Sequence, residues 1–123
     1  LAPAVIDVPS GTVDTLPTVL AAAGLPLPAA ALDGVDLGPL LRGESAHRGE
    51  GMGFRHKGAE AWTRGRWKIH RKGDQPFTLH DLEADPGEAH DLAAQRPELV
   101  TDLQRELAAW SSTLDAPSET EAR

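Results

Sequence analysis

Phe77-Thr-Leu-His-Asp-Leu-Glu-Ala-Asp-Pro-Gly-Glu-Ala-His-Asp-Leu-Ala93 is the stretch on which the fold turns. Phe77 and Leu79 alternate with Thr78 and His80, the period of a strand with one buried face. The run then becomes acidic at Asp81-Leu-Glu-Ala-Asp-Pro-Gly87. Aspartates in such a run accept backbone N–H bonds in Asx-type turns, and Pro86-Gly87 is itself turn chemistry. A helix follows, with Pro97 suited to its first position because the missing N–H would have no partner there. Leu99, Leu103, Leu107, Trp110 and Leu114 recur at spacings of four, four, three and four, which is one helical face. Glu98, Asp102, Gln104, Arg105 and Glu106 fall off that stripe and are expected in solvent.

Working back from this stretch, residues 59–64 and 66–72 read as strands flanking Gly65, with Arg64-Gly65 expected as the tight turn. Trp67 and Ile69 alternate with Lys68 and His70. Residues 52–55 fit one more strand. The expected fold class is α+β: a small antiparallel sheet of three to four strands covered by a C-terminal amphipathic helix.

The N-terminal third reads differently. Val5-Ile-Asp-Val8 lies between Pro3 and Pro9, so it is an edge strand or an extended lead-in. A helix is expected to start between Ser10 and Asp14 and to end at Gly24 and Pro26, with Val13, Leu16, Leu20 and Ala23 on one face. Asp33-Gly34 is a turn signal, 37–41 fits one or two helical turns, and 44–50 reads as exposed loop. The tail beyond Pro117 is expected to be disordered.

Composition narrows the function classes. Nineteen acids against twelve Lys and Arg give a net charge of −7, a poor match for nucleic acid, which needs a basic face. The basic cluster of Arg55, Lys57, Arg64, Arg66, Lys68, Arg71 and Lys72 alternates with Trp and Ile, as outer faces of strands do. There is no Cys, hence no disulfide, thiolate ligand or thiol nucleophile. No apolar run approaches a membrane span of about 20 residues, and no secretory leader is visible. The chain starts at Leu1, which fits a truncated or excised product, and the compartment stays unknown.

Motifs for chemistry are scarce. Counted from Asp81, an EF-hand would need Gly and Glu where Pro86 and Leu92 stand, so calcium binding is not expected there. His47, His56, His70, His80 and His90 include no i, i+4 pair, and His-Glu-x-x-His is absent, so no metal ligand is assigned. No Gly-x-Ser-x-Gly elbow occurs, and a capping role explains Ser10 or Asp14 better than a triad. Trp62, Trp67 and Trp110 read as core rather than as a sugar-stacking platform.

The order of segments resembles the C-terminal region of the formylglycine-dependent sulfatases, of the alkaline phosphatase superfamily. Val13-Asp-Thr-Leu-Pro-Thr-Val-Leu-Ala-Ala-Ala-Gly24 resembles that family's V-D-L-x-P-T-L-L-x-L-A-G. Asp33-Gly-Val-Asp-Leu-Gly-Pro-Leu-Leu-Arg-Gly43 is similar to its D-G-x-S-L-x-P-L-L-x-G. Gly65-Arg-Trp-Lys68 matches its G-R-W-K strand, and residues 79–92 match its L-Y-D-L-x-x-D-P-x-E-x-x-N-L turn. The family usually has Tyr where His80 stands and Asn where Asp91 stands.

The resemblance implies residues 1–45 from a large α/β domain, 46–116 as a C-terminal α+β subdomain and 117–123 as tail. It implies that a parent enzyme hydrolyses sulfate esters with calcium and a formylglycine made in a C/S-x-P-S/A-R motif. That motif does not occur in this sequence. No catalytic, metal or cofactor residue is therefore carried over, and the chain is expected to be inactive alone. The implied partners are an N-terminal sulfatase domain and, for the parent, a sulfated small molecule or carbohydrate, with no nucleic acid and no membrane. Arg55, His56 and Lys57, expected in a loop before the hairpin, are the candidates for substrate contact. An independent small binding module, or the tail of a related phosphoester or phosphonate hydrolase, are the competing readings.

Overall fold

The computed structural model describes residues 5–28 and 32–114. The chain divides into two compact units, residues 1–52 and 53–123. The expected disordered tail, 117–123, lies outside the described residues.

The C-terminal unit is built around a four-stranded antiparallel meander in the order β1-β2-β3-β4. The strands are β1 (Met52–His56), β2 (Ala59–Arg64), β3 (Trp67–Lys72) and β4 (Thr78–Asp81). The turn between β1 and β2 is Lys57-Gly58, with φ of +46° and +78°. Positive φ at both central residues is what the right-handed twist of a two-residue hairpin demands, and Gly58 adopts it without a Cβ clash. The β2–β3 turn is Gly65-Arg66, one residue later than expected, because Arg64 pairs with Trp67 and so stays in the ladder.

Register fixes the two faces. Trp62 pairs with Ile69, and Ile69 with Leu79. These three point toward α3 (Pro97–Leu114) and close the core with Leu103 and Leu107. Ile69, Leu79 and Leu103 are fully buried. Trp67, Phe77, Leu99 and Trp110 pack around them, so all three Trp serve the core. Two details differ from expectation. Leu114 is 40% exposed, although it continues the apolar stripe. Glu106 does not point away: it accepts the Trp62 indole N–H at 2.8 Å and also pairs with Arg64. Trp110 lies flat against Gly53, where a Cβ would come within 2.4 Å of the indole. Only Gly leaves room for that ring.

The N-terminal unit has a 3-10 turn (Thr12–Asp14) running into α1 (Thr15–Ala22), then α2 (Gly38–Leu41). No strand forms over residues 5–8. Extended backbone there has no ladder among the described residues, and Pro9 removes one donor. The expected apolar face of α1 is not the buried one. Of its expected members Val13, Leu16 and Ala23 are exposed and Leu20 is only partly buried, while Asp14 and Pro17 are fully buried. Arg48 explains the inversion. Its guanidinium donates from Nη2 to Asp14 Oδ1 at 2.7 Å, and Gly11 and Val35 N–H add bonds of 2.9 Å each. Segment 44–50 is thus mostly exposed loop, as expected, except that Arg48 is inserted as the counter-charge of a buried carboxylate. Leu37 N–H donates to Thr18 Oγ1, which itself donates to Asp14 C=O, so the connecting segment is tied to α1 twice.

Candidate functional site

Arg55 and His56 end β1, and Lys57 opens the turn to β2. The three residues stand exposed at a hairpin tip, not in a loop before the hairpin. They are consecutive in the chain, and Arg55 and His56, as neighbours within β1, point to opposite faces of the sheet. Four other members of the basic cluster form ion pairs: Arg64 with Glu106, Arg66 with Asp81 and Glu83, Lys68 with Glu88, and Arg71 with Glu60. These pairs turn most of the cluster into cross-links between elements.

The acidic turn after β4 does the structural work expected of it. Asp81 Oδ1 accepts from Glu83 and Ala84 N–H and from Arg66 Nε. The Arg66 guanidinium, helped by those N–H groups, holds the Asp81 carboxyl below its ordinary range. Asp85 accepts from His90 N–H at 2.8 Å. Asp91 Oδ1 accepts from Leu79 N–H at 3.0 Å and Ala93 N–H at 2.9 Å. Both bonds need only one carbonyl-like oxygen, so Asp replaces Asn here without loss of either. The two N–H donors draw the Asp91 carboxyl below its ordinary range.

A second cluster lies on the sheet face turned away from α3. Lys68 pairs with His80 and His70 with Thr78, so the two imidazoles are diagonal neighbours across β3 and β4. Their rings stack with centroids 5.2 Å apart and planes 13° from parallel. His80 is 4% exposed, whereas the sequence pattern suggests an exposed position. The loop after β4 covers it, and its Nδ1 meets His90 C=O at 3.0 Å while Nε2 meets Thr78 Oγ1 at 3.0 Å. A carbonyl only accepts, so Nδ1 carries a proton, and in the neutral ring Nε2 then holds the lone pair. Glu88, at φ +55°, turns back over the face. One of its oxygens accepts from Lys68 Nζ at 2.5 Å and the other lies 3.8 Å from His70 Nε2. Burial, then His80 and then Lys68, lower the His70 pKa below the usual imidazole value, so this ring is neutral at pH 7. The juxtaposition was legible only through register: each His occupies the polar phase of its own strand, and the pairing makes them neighbours.

This donor set does not fit the calcium ion implied by the resemblance. Calcium takes six to eight hard oxygens, and the cluster offers two imidazoles and one carboxylate. Nor does the sequence hold a C/S-x-P-S/A-R motif for a formylglycine. No step of sulfate ester hydrolysis can be assigned to these residues.

No family model matches the sequence. Human arylsulfatase A is 30% identical over 148 aligned residues, covering 94% of this chain and 29% of that protein. Among solved structures, Ps i-CgsB in complex with k-i-k-neocarrahexaose superposes with a TM-score of 0.72 at 29% identity, over 86% of this chain and 25% of that one. The phosphonate monoester hydrolase of Agrobacterium radiobacter shares the fold, with a TM-score of 0.51 at 23% identity. The chain thus spans about a quarter of the length of the proteins it matches.

Proposed function

Since this chain is a sulfatase-like C-terminal region in sequence and fold, we propose that it acts as the C-terminal part of a sulfuric ester hydrolase. Residues 1–45 are the chain's share of a large α/β domain, and 46–116 form the C-terminal subdomain. The observation that carries this reading is the match to human arylsulfatase A along 94% of the chain. Val13 of the 3-10 turn and Leu16 and Val19 of α1, all exposed here, are the surface that an α/β sheet would cover.

In this reading the nucleophile and the calcium site belong to the rest of the enzyme. The chain contributes one wall of the substrate pocket. Arg55, His56 and Lys57 are the residues proposed to meet a sulfated small molecule or carbohydrate. Their exposure at a hairpin tip supports the role, because side chains there can meet an anion from solvent. Replacing all three with Ala in the whole enzyme is expected to raise KM with little change in kcat; an unchanged KM removes them from the pocket.

The purified chain is expected to turn over no chromogenic aryl sulfate, with or without calcium. Turnover in a preparation free of host sulfatase would overturn this part of the proposal. The fold shared with a phosphonate monoester hydrolase supports one alternative, the tail of a phosphoester or phosphonate hydrolase. Among the described residues no helix is long and apolar enough to cross a membrane.

A further inference from the structure

We propose that His70, His80 and Glu88 form a binding site for a zinc-class divalent ion on the outer face of the sheet. The site is distinct from the hairpin tip and does not depend on the activity of any parent enzyme. Three observations carry it. The donor atoms of the three residues all lie within 4.8 Å of one another. Tetrahedral zinc bonds of about 2.0–2.1 Å place neighbouring donors roughly 3.3 Å apart. Small side-chain rotations of His70 and Glu88 close that gap, because both are only partly buried and the sheet holds their backbones.

His80 is prepared for the role. Its Nδ1–H donates to the backbone carbonyl of His90, which fixes the ring and leaves Nε2, now beside Thr78 Oγ1, as the nitrogen available to a cation. A metal-bound imidazole has this same outer hydrogen bond. The present partner of Nε2 is the Thr78 hydroxyl, which already has a second acceptor: His70 C=O lies 3.2 Å away. The hydroxyl can rotate to that carbonyl when a cation takes Nε2, so binding strands no buried donor. Two imidazoles and one carboxylate are a set that zinc accepts, with water completing the tetrahedron, and one that calcium does not.

Lys68 sets the strength. Its ammonium holds the second Glu88 oxygen at 2.5 Å, which fixes the carboxylate but places a like charge beside the ion. Zinc binding is therefore weaker than in a site without that lysine, and removing the charge strengthens it.

The test is calorimetric titration of zinc chloride into the full chain, in a non-coordinating buffer well above the imidazole pKa of about 6.5. One ion per chain is expected. His70→Ala and Glu88→Gln should each weaken binding by about tenfold or more, since even the loss of an outer partner costs that much. Lys68→Met should tighten it. His47→Ala and His90→Ala should leave it unchanged. A fold-independent readout accompanies the variants: in the unaltered chain, zinc should shift the imidazole nitrogen signals of His70 and His80. No binding by the unaltered chain, shifts confined to His47, His56 or His90, or full competition by calcium would each overturn the site.

Discussion

Glu106 accepts the indole N–H of Trp62 at 2.8 Å and, through its other oxygen, pairs with Arg64 two residues along the same strand. One carboxylate on α3 thus fixes the position of the helix along β2. The apolar stripe supplies the attraction between helix and sheet; Glu106 supplies the register. Glu106→Ala should leave the half-buried indole donor unpaired and cost about 1–3 kcal/mol of stability. Glu106→Gln, which keeps an acceptor for Trp62, should recover most of that loss in denaturant melts.

Leu103 is fully buried between Ile69 and Leu79. Leu103→Ala is expected to cost about 2–5 kcal/mol through lost transfer energy and the cavity left behind. Trp110→Ala should fall in the same range. Asp102→Ala, on the exposed side of the same helix, should stay within about 0.5 kcal/mol of the parent. Equal melts for Leu103→Ala and Asp102→Ala would mean that the stripe is not the buried face.

Gly53→Ala tests the contact with Trp110 from the other side. The new Cβ would lie 2.4 Å from the ring, so indole or strand must move. Overpacking of this kind costs about 1–3 kcal/mol. A shift of Trp110 fluorescence should accompany the loss; an unaltered spectrum and melt would show that the ring does not rest on Gly53.

The Asp14–Arg48 pair predicts a pH dependence within the N-terminal unit. Burial raises the Asp14 pKa, but Arg48 and the Gly11 and Val35 N–H groups outweigh it, so the net value lies below the ordinary 3.8. A carboxyl with a depressed folded pKa stabilises above its unfolded value and loses that contribution as pH falls through the folded one. Protection of the Val35 amide should therefore hold at pH 5 and fall away below about pH 3.8. Arg48→Ala should abolish the protection at neutral pH, because it leaves a buried carboxylate without its cation, a loss of about 3–5 kcal/mol. Unchanged Val35 exchange in that variant would contradict the pairing.

Sequence reading reached furthest where one period governs the chain. The alternation at Trp67 to His70 and the three-four spacing from Leu99 to Trp110 fixed the strands, the helix and which faces meet, because burial of apolar side chains decides those elements. It failed where a polar group made the decision. The apolar residues of α1 mark a face that is largely exposed here, and the face that is buried is set by Asp14, which draws Arg48 from 34 residues away, a partner that no local pattern records. Glu106 falls off the apolar stripe, the mark of a solvent-facing position, though a long carboxylate can reach round to Trp62 and Arg64. At the candidate sites, the hairpin tip was visible as residue types and displaced only in its place along the chain. The His70–His80–Glu88 cluster was not visible, because it needs the register of β3 on β4 and the return of the loop through a left-handed Glu88.

The departures from the family pattern are explained by the same geometry. Asp91 offers the oxygen that holds Leu79 and Ala93, and His80 fills a buried position by hydrogen-bonding at both ring nitrogens. Neither change disturbs the fold it shares with sulfatases.

The most direct measurement of the central proposal is the nucleotide sequence immediately 5′ of the codon for Leu1 in the source genome. If the chain is the C-terminal part of a sulfatase, the reading frame continues upstream and encodes C/S-x-P-S/A-R in a domain carrying the calcium carboxylates. A stop codon in frame just ahead of an initiation site at this chain, or an upstream domain with an unmodified Thr or Ser nucleophile and no such motif, would contradict it.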